Sequence, residues 1–273
     1  MAEPVAAAAQ GPKLTVRGVE KTFLSRLGSV SALGPIDVDI REGEFVCVVG
    51  PSGCGKTTLL NIVAGLEEPE VGEVCFDGKP IRGPGPDRIV LFQDLGLFPW
   101  MTVLGNVEFG LRLRGVRGKE RRRSAIHYLR MVHLSGFQGS YVHELSGGMK
   151  QRVALARALA MDPVMLLMDE PFAALDAQTR DMLHQELQEI WSRTRKTILF
   201  VTHNVREAAC LADRIITMTR RPGRIKREFH VDIPRPRQIE DPDVGCLAAQ
   251  VREDLRDEIE AVLDEERRRA KER

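Results

Sequence analysis

The sequence predicts an α/β fold built on a mostly parallel sheet, with a ligand site at the carboxyl edge of the strands. Three observations predict it. Short apolar runs alternate with helical segments. A glycine-rich loop joins the run Phe45–Val49 to a helix expected over residues 57–66. The all-apolar run 164–168 and a second predicted buried strand, 197–201, each end in a polar pair. Because parallel strands end at one edge of a sheet, the loop and these pairs are expected to meet there.

The glycine-rich loop fits the pattern G-x-x-x-x-G-K-[ST] and is the most specific local feature of the chain. Glycines let backbone N–H groups converge on an anion, the following helix adds the positive end of its dipole, and a lysine supplies a mobile cation. The last hydroxyl can hold Mg²⁺. The loop is therefore predicted to be a phosphate cradle. It consists of Gly50, Pro51, Ser52, Gly53, Cys54, Gly55, Lys56 and Thr57.

Composition excludes some classes of function. The 273 residues include 40 Lys and Arg against 39 Asp and Glu, a formal charge of +1. This balance gives no broad attraction for nucleic acid or an anionic membrane, so local sites must supply specificity. A chain of this length can bury a full core as one large domain without a disulfide or a metal.

The cysteines and the N-terminal residues indicate the compartment. The five cysteines are scattered, odd in number and without C-x-x-C spacing, which favours reduced thiols in the cytosol and argues against a zinc site. Residues 1–12 lack a basic region before their alanines and are predicted to be a disordered lead rather than a signal peptide. No apolar run approaches the roughly 18 residues of a membrane span. The chain is therefore expected to be soluble, with any membrane role supplied by a partner.

The other predicted strands follow from β-branched runs bounded by turn signals. Asp77-Gly78 marks a hairpin over residues 73–81, and Arg221-Pro222-Gly223 marks a second hairpin. The segment before the phosphate cradle is expected to form one sheet that leads into it. The single strands predicted in this way cover residues 14–19, 38–40, 45–49, 89–92, 214–219 and 225–231.

Helical periodicity dominates the middle and the end of the chain. Residues 102–134 are helical and polar, and their basic run 119–123 is more typical of a solvated helix face than of a binding site. Ser146, followed by two glycines, is expected to cap a helix that runs to Ala160. The apolar stripe of a helix over residues 177–193 indicates core packing, and residues 251–273 form a charged helical end without assignable chemistry.

Five further features resemble the ATPases of ABC transporters. Residues 145–152, Leu-Ser-Gly-Gly-Met-Lys-Gln-Arg, resemble the signature motif, residues 165–170 the Walker B strand and residues 174–176 the D-loop. Gln93 is similar to the Q-loop glutamine and His203 to the switch histidine, and the order and spacing match from residue 14 to about 231.

This resemblance implies a domain plan. The fold would be a P-loop NTPase with a RecA-like parallel sheet core, an antiparallel β subdomain and an α-helical signature subdomain at about 94–160. The ATPase cassette would span residues 13–237, followed by a charged helical tail over residues 238–273.

The resemblance also implies ATP and Mg²⁺ as cofactors. Asp169, at the end of a buried strand, suits a hard cation, and Glu170 can poise water for in-line attack on the γ-phosphorus. His203 would hold that water in line, although a lone histidine is more often a satisfied core or loop residue. Gln93 would sense Mg²⁺ and the water. Phe23 aligns with an adenine-stacking aromatic and could equally be a core residue.

Ser146, Gly147 and Gly148 form a second helix N-terminus and thus a second anion site within one chain. In the family, two subunits pack head-to-tail, and each signature helix caps the γ-phosphate held by the other subunit. Met149 replaces the usual glutamine, which is expected to leave this capping intact. The resemblance adds Thr58 and Asp176 to the nucleotide-binding set.

The resulting hypothesis is the ATP-hydrolysing subunit of a bacterial ABC importer, at the cytoplasmic face of the inner membrane. Its expected partners are transmembrane permease subunits, a second copy of itself and, indirectly, a periplasmic substrate-binding protein, with no nucleic acid. Residues 95–100 would make the docking surface if exposed, and a buried loop is the alternative. Residues 97–100, 221–225 and 233–237 resemble the nitrate, sulfonate and taurine branch, although none need touch the cargo.

Two other classes of function remain as alternatives. A non-transport ABC ATPase acting on DNA or the ribosome tends to carry coiled-coil insertions, zinc modules or tandem cassettes, and this chain has one cassette without them. A P-loop kinase for a small molecule would leave the signature helix unexplained. Three observations would separate these classes. Co-purification with a membrane protein favours the importer, stimulation of ATPase activity by DNA or ribosomes favours the non-transport ATPase, and a phosphorylated product favours the kinase.

Overall fold

The structure is a computed structural model that describes residues 11–25 and 28–271. Most of the predicted disordered lead, residues 1–12, lies outside the described residues. Within them the strands are β1 (Leu14–Ser25), β2 (Gly28–Ile40), β3 (Phe45–Val49), β4 (Val71–Phe76), β5 (Lys79–Pro80), β6 (Arg88–Leu91), β7 (Met165–Asp169), β8 (Thr197–Thr202), β9 (Arg214–Met218) and β10 (Ile225–His230). The helices there are α1 (Lys56–Ala64), α2 (Val103–Leu113), α3 (Gly118–Met131), α4 (Gly147–Ala160), α5 (Ala177–Thr194), α6 (Val205–Leu211), α7 (Pro242–Asp254) and α8 (Arg256–Lys271).

The described strands form two sheets. One has six strands in the order β10-β9-β3-β8-β7-β6, parallel throughout except that β10 pairs antiparallel with β9. The other is antiparallel, in the order β2-β1-β4-β5. The predicted α/β class with a parallel core is thus confirmed.

One prediction about the sheets is wrong. The segments around β1, β2 and β3 do not form a single sheet, because β3 lies in the parallel sheet while β1 and β2 lie in the antiparallel one. Burial explains the separation. Every residue of β3 is buried, as expected for a strand covered on both faces, whereas the second half of β2 alternates between buried and exposed positions.

The strands β1 and β2 are longer than predicted because they pair with each other as a ribbon over most of their length. Register shifts between Val16 and Val19 absorb Gly18, which has a positive φ of 55° inside the strand. Helix α1 ends earlier than predicted, at Ala64, because Gly65 adopts φ 76° and closes it with a left-handed cap.

The parallel sheet separates two hydrophobic cores. Alternate residues of β3 point to opposite faces: Val46 and Val48 join the core formed with α1 and the antiparallel sheet, while Phe45 joins the core formed with the helices from α2 to α7. This arrangement fixes β3, and with it the glycine-rich loop that follows, at the centre of the molecule.

The helical character predicted for residues 102–134 is present as two helices, α2 and α3, and Gly115, at φ 75°, lies between them. Helices α2, α3 and α4 pack on one another within the region predicted for the signature subdomain. The predicted cap is present: the Ser146 hydroxyl accepts a hydrogen bond from the Met149 backbone N–H at 3.3 Å. Over the described residues, no helix combines the length and the apolar character needed to cross a membrane.

Candidate functional site

The glycine-rich loop between β3 and α1 leaves backbone N–H groups available for an anion. Gly53 and Gly55 adopt positive φ angles of 74° and 99°, which favour glycine. A Cβ at Gly55 would lie 2.5 Å from Leu33 Cδ2 and 2.8 Å from the Ala32 carbonyl oxygen. Gly55 is also the N-cap of α1 and supplies no side-chain acceptor. The first amides of α1 are therefore open to a ligand.

Lys56 is a nearly buried cation, with 5% of its surface exposed. Its Nζ donates hydrogen bonds to the carbonyl oxygens of Gly50 at 3.0 Å and Pro51 at 3.1 Å. A buried ammonium is costly unless it meets negative charge or strong acceptors. Here neutral carbonyls satisfy it, so a phosphate entering the loop would find a cation available.

A cavity of about 340 Å³ opens above this loop. It is walled by the loop itself, by the antiparallel sheet and by the ends of two strands of the parallel sheet. Its lining residues are Phe23, Val30, Ala32, Ser52, Gly53, Gly55, Lys56, Thr57, Thr58, Glu170 and Arg221. Most of the predicted phosphate cradle therefore faces one space together with Glu170.

Two oxygen ligands suited to a divalent cation meet at the floor of the site. The Thr57 hydroxyl donates to Asp169 Oδ1 at 3.1 Å, which joins the start of α1 to the end of β7. Asp169 is 8% exposed, and burial raises the pKa of its carboxyl above the ordinary value. A buried carboxylate of this kind gains from a nearby cation, and hydroxyl and carboxylate oxygens suit Mg²⁺.

Glu170 and His203 come together at neighbouring strand ends, because β7 and β8 pair in parallel with Asp169 opposite Val201. Glu170 has a positive φ of 44°, and its backbone N–H donates to the Val201 carbonyl at 2.9 Å. His203 Nδ1 lies 2.9 Å from Glu170 Oε2. A strained backbone at a carboxylate that faces a cavity is typical of functional sites.

Phe23 lies in the cavity wall rather than in the core. Its side chain is 38% exposed, and Val30, its partner across the ribbon, lines the same cavity. Lys21 Nζ lies 5.3 Å from the centre of the Phe23 ring. The aromatic face is thus placed where a flat ring could stack on it.

Ten predicted site residues are not among those that line this cavity. Gln93 is exposed in the loop after β6, and Ser146 is exposed at the start of α4. The signature and D-loop segments instead contact each other: a Cβ at Gly148 would lie 2.5 Å from Thr179 Cγ2, and the Asp176 side chain accepts from the Thr179 backbone N–H at 2.9 Å. Hydrogen bonding to that N–H lowers the pKa of Asp176. Of the ten, Gly50, Pro51 and Cys54 belong to the phosphate loop, and Asp169 and His203 contact the lining residues Thr57 and Glu170. The other five are Gln93, Ser146, Gly147, Gly148 and Asp176.

Sequence reasoning missed three polar residues that support the site. Arg157 on α4 donates to the carbonyl oxygens of Leu95 at 2.6 Å and Gly96 at 2.7 Å, so it ties the signature helix to the loop after Gln93. Glu207, buried on α6, accepts from the Thr202 hydroxyl and contacts His184 Nε2 at 2.8 Å. Arg221 donates to the Gly53 carbonyl. The position of Glu207, four residues after His203, is the one sequence signal that could have pointed to it. Arg157 and Arg221 contact residues that are distant in the sequence, so no local pattern marks them.

A phosphate loop, a hydroxyl–carboxylate pair and a strand-end Glu–His pair on one parallel sheet define a P-loop nucleotide hydrolase. Comparison with known proteins identifies its family. The family model for ABC transporters matches residues 33–173. The chain therefore belongs to the ABC transporter ATP-binding family and is an ABC-type ATPase.

Individual relatives agree with this assignment. The chain is 54% identical over 225 residues to an uncharacterised ABC transporter ATP-binding protein of Methanocaldococcus jannaschii, covering 82% of this chain and 84% of that protein. It is 51% identical over 221 residues to the nitrate import ATP-binding protein NrtD of Synechocystis, covering 81% and 83%. It is 46% identical over 223 residues to the taurine import ATP-binding protein TauB of Burkholderia pseudomallei, covering 82% and 86%.

Solved structures support the same fold. A bacterial ABC transporter cassette determined as a dimer matches with a TM-score of 0.72 and 35% identity, covering 81% of this chain and all of that one. The same cassette in a dimeric post-hydrolysis state, bound to ADP and phosphate, matches equally well, with a TM-score of 0.72.

Proposed function

We propose that this chain is the ATP-hydrolysing subunit of a bacterial ABC importer, which couples ATP turnover to uptake through a separate permease. The observation that carries the proposal is the Glu170–His203 pair, which is 2.9 Å apart and lies at the strand ends beside the phosphate loop. It is the arrangement that poises water against a terminal phosphate.

Each residue of the site then has a role in hydrolysis. Lys56 and the backbone amides of its loop bind the β- and γ-phosphates, and Phe23 stacks on the adenine. Glu170 accepts hydrogen bonds from the attacking water, and His203 holds that carboxylate and the γ-phosphate in line. Thr57, Asp169 and Gln93 would hold Mg²⁺, which neutralises charge on the phosphates when bound.

The active form is a head-to-tail dimer. Ser146, Gly147 and Gly148 lie outside the cavity that contains Lys56, so a signature helix that contacts the γ-phosphate must come from a second copy. Ser146 is exposed at the open start of α4, as a residue reaching a partner's nucleotide requires. Asp176, beside it through Thr179, lies at the same interface.

The permease docks on the loop after Gln93. At the end of this loop Trp100 is 70% exposed, and Phe92, just before Gln93, is 46% exposed, whereas Leu95 and Leu97 are half-buried against the core. Asn106 fixes the loop by accepting from the Phe98 backbone N–H at 2.8 Å. A rigid loop with exposed aromatic side chains suits a protein interface. Docking there places the chain at the cytoplasmic face of the inner membrane, where it serves a periplasmic substrate-binding protein only indirectly and binds no nucleic acid.

Nitrate, a sulfonate such as taurine or a related small solute is the proposed cargo. Two relatives at 51% and 46% identity carry the names of nitrate and taurine importers. The cassette itself need not touch the solute, so uptake of labelled nitrate and taurine by cells that lack the chain tests this assignment.

Substitution Glu170→Gln tests the hydrolytic role. Glutamine keeps the size and removes the negative charge, so the variant is expected to bind ATP with unchanged affinity and to lose turnover by a factor of about 100 or more. Phosphate release and calorimetric ATP binding would be measured side by side. Glu189→Gln, on the exposed face of α5, is the matched control and should behave as the parent protein.

Hydrolysis by Glu170→Gln at the parental rate would remove Glu170 from this role. Loss of ATP binding together with turnover would show a structural defect in the phosphate loop instead.

A further inference from the structure

The turn between β9 and β10, residues 219–224, forms a wall of the nucleotide cavity. It is joined to β2 through two backbone hydrogen bonds: the Gly223 N–H donates to the Ala32 carbonyl, and the Gly34 N–H donates to the Gly223 carbonyl, each at 3.0 Å. Ala32 also lines the cavity. The turn is therefore held in place by the antiparallel sheet rather than projecting freely as a hairpin end.

This turn is in close backbone contact with the phosphate loop. A Cβ at Gly223 would lie 1.9 Å from the Cys54 carbonyl oxygen, so only glycine allows the approach. Arg221 completes the contact, because its Nε and Nη2 both donate to the Gly53 carbonyl at 3.2 Å. Gly53 is one of the two loop glycines with positive φ, so Arg221 is bonded to a strained point of the phosphate loop that favours glycine.

Arg221 also faces the ligand space. Its side chain lines the cavity together with Lys56, and among the described residues none of the ion pairs involves it. A guanidinium has five N–H donors in a planar fork. Two of its nitrogens are directed at the Gly53 carbonyl oxygen, so the remaining N–H donors and the positive charge are available to a phosphate.

We propose that Arg221 is a second cationic residue of the nucleotide site, which fixes the phosphate loop through the Gly53 carbonyl and binds the polyphosphate with its remaining N–H groups. The proposal rests on the proposed ATP-binding function. It assigns a binding role to the Arg221-Pro222-Gly223 turn, which the sequence analysis linked to the nitrate, sulfonate and taurine branch but to no role in the site.

Three variants test it: Arg221→Gln, Arg221→Lys and, as the matched control, Arg220→Gln. Arg220 is the adjacent exposed arginine, and it is not among the residues that line the cavity. Binding of ATP and ADP would be measured by calorimetry, and KM and kcat would be measured for hydrolysis.

Arg221→Gln is expected to raise the ATP dissociation constant about tenfold, as for the loss of one charge-assisted contact, with a rise in KM that exceeds the fall in kcat. ADP, with one phosphate fewer, should lose less affinity. Arg221→Lys keeps the charge without the fork and should recover part of the loss. Arg220→Gln should stay within about twofold of the parent protein.

Parental ATP affinity in Arg221→Gln would overturn the proposal, as would equal losses in Arg221→Gln and Arg220→Gln, which would indicate general charge alone. If Arg221→Gln fails to fold, Arg221→Met, which also removes the charge, replaces it, and parental ATP affinity in that variant has the same meaning. Lys56→Ala separates the two proposals: if it abolishes ATP binding while the Arg221 variants bind normally, the ATP site stands and the role of Arg221 fails.

Discussion

At the scale of single residues, the cations of the site are held by neutral carbonyl oxygens of the loop they serve. Lys56 donates to Gly50 and Pro51, and Arg221 donates to Gly53. Neutral acceptors satisfy a buried cation less well than phosphate oxygens do, because they bring no opposite charge to offset its loss of water. Exchange of carbonyl for phosphate partners therefore favours ligand entry without a large rearrangement of the loop.

The cysteines offer a residue-scale prediction, because only the thiolate is nucleophilic. Burial raises the pKa of Cys54 and Cys47, and raises that of Cys210 to about 12, whereas Cys246 is exposed. At pH 8 a thiol of pKa about 12 is ionised in roughly one molecule in 10⁴. Iodoacetamide at pH 8 is therefore expected to modify Cys246 first and the three buried thiols only after unfolding.

Peptide mass spectrometry over a time course measures the order of modification, and the same reaction in guanidinium chloride is the control, where all thiols should react. Modification of Cys54 as fast as Cys246 in the folded protein would contradict the burial of the phosphate-loop thiol.

At the scale of elements, a buried polar network connects the start of α6 to the site. Glu207 accepts from the Thr202 hydroxyl and contacts His184 of α5, and the Thr202 hydroxyl accepts from the Asn204 backbone N–H at 3.0 Å. Since His203 lies between Thr202 and Asn204, this network fixes the turn that carries it. Glu207 is 4% exposed, so its carboxylate depends on these partners.

Glu207→Ala is expected to lower the free energy of unfolding by about 3 kcal/mol, because it removes the buried acceptor of the Thr202 hydroxyl proton and the buried partner of His184 Nε2. Turnover should fall as well, since His203 loses its fixed position. Urea unfolding and phosphate release measure the two effects. Glu189→Ala, on the exposed face of α5, should change stability by less than about 1 kcal/mol. Parental stability of Glu207→Ala would exclude the network from a supporting role.

Elements with a strong local signal were predictable from the sequence. The apolar runs at β3, β7 and β8 and the capped start of α4 each follow from residues within a few positions. The membership of β1 and β2 in a separate sheet does not follow from the local sequence pattern, because it depends on the pairing of β1 with β4, which lies more than 50 positions further along the chain. The burial of Arg237 could not be predicted from the sequence either, because its partner is distant: it is 2% exposed and donates to the Ala212 carbonyl at 2.6 Å. Burial lowers the pKa of Arg237 to about 10.

The site was predictable where motifs are contiguous and not where contacts are distant. Lys56, Thr57, Asp169 and Glu170 could be assigned because a loop and a strand end carry them within a few residues. The Arg221 contact with Gly53 spans 168 positions and involves an exposed arginine in a turn, so no periodicity or spacing marks it. Such residues become visible only when the chain is folded.

At the scale of the whole molecule, the phosphate loop and the start of α4, which are the two parts of the proposed ATP site, face different spaces. The phosphate loop opens into the cavity between the two sheets, and the start of α4 lies outside that cavity. The separation is a consequence of the fold, since α4 packs with α2 and α3 while the loop sits between β3 and α1. Two copies packed head-to-tail would bring each loop against the other's Ser146.

Sedimentation of the Glu170→Gln variant with and without ATP tests this account most directly. The account predicts a single chain of 30.5 kDa without nucleotide and a species of twice that mass with saturating ATP. The same variant carrying Ser146→Arg should bind ATP and stay monomeric. A chain that remains monomeric with saturating ATP, while the parent protein hydrolyses ATP at full rate beside its permease, would contradict the account.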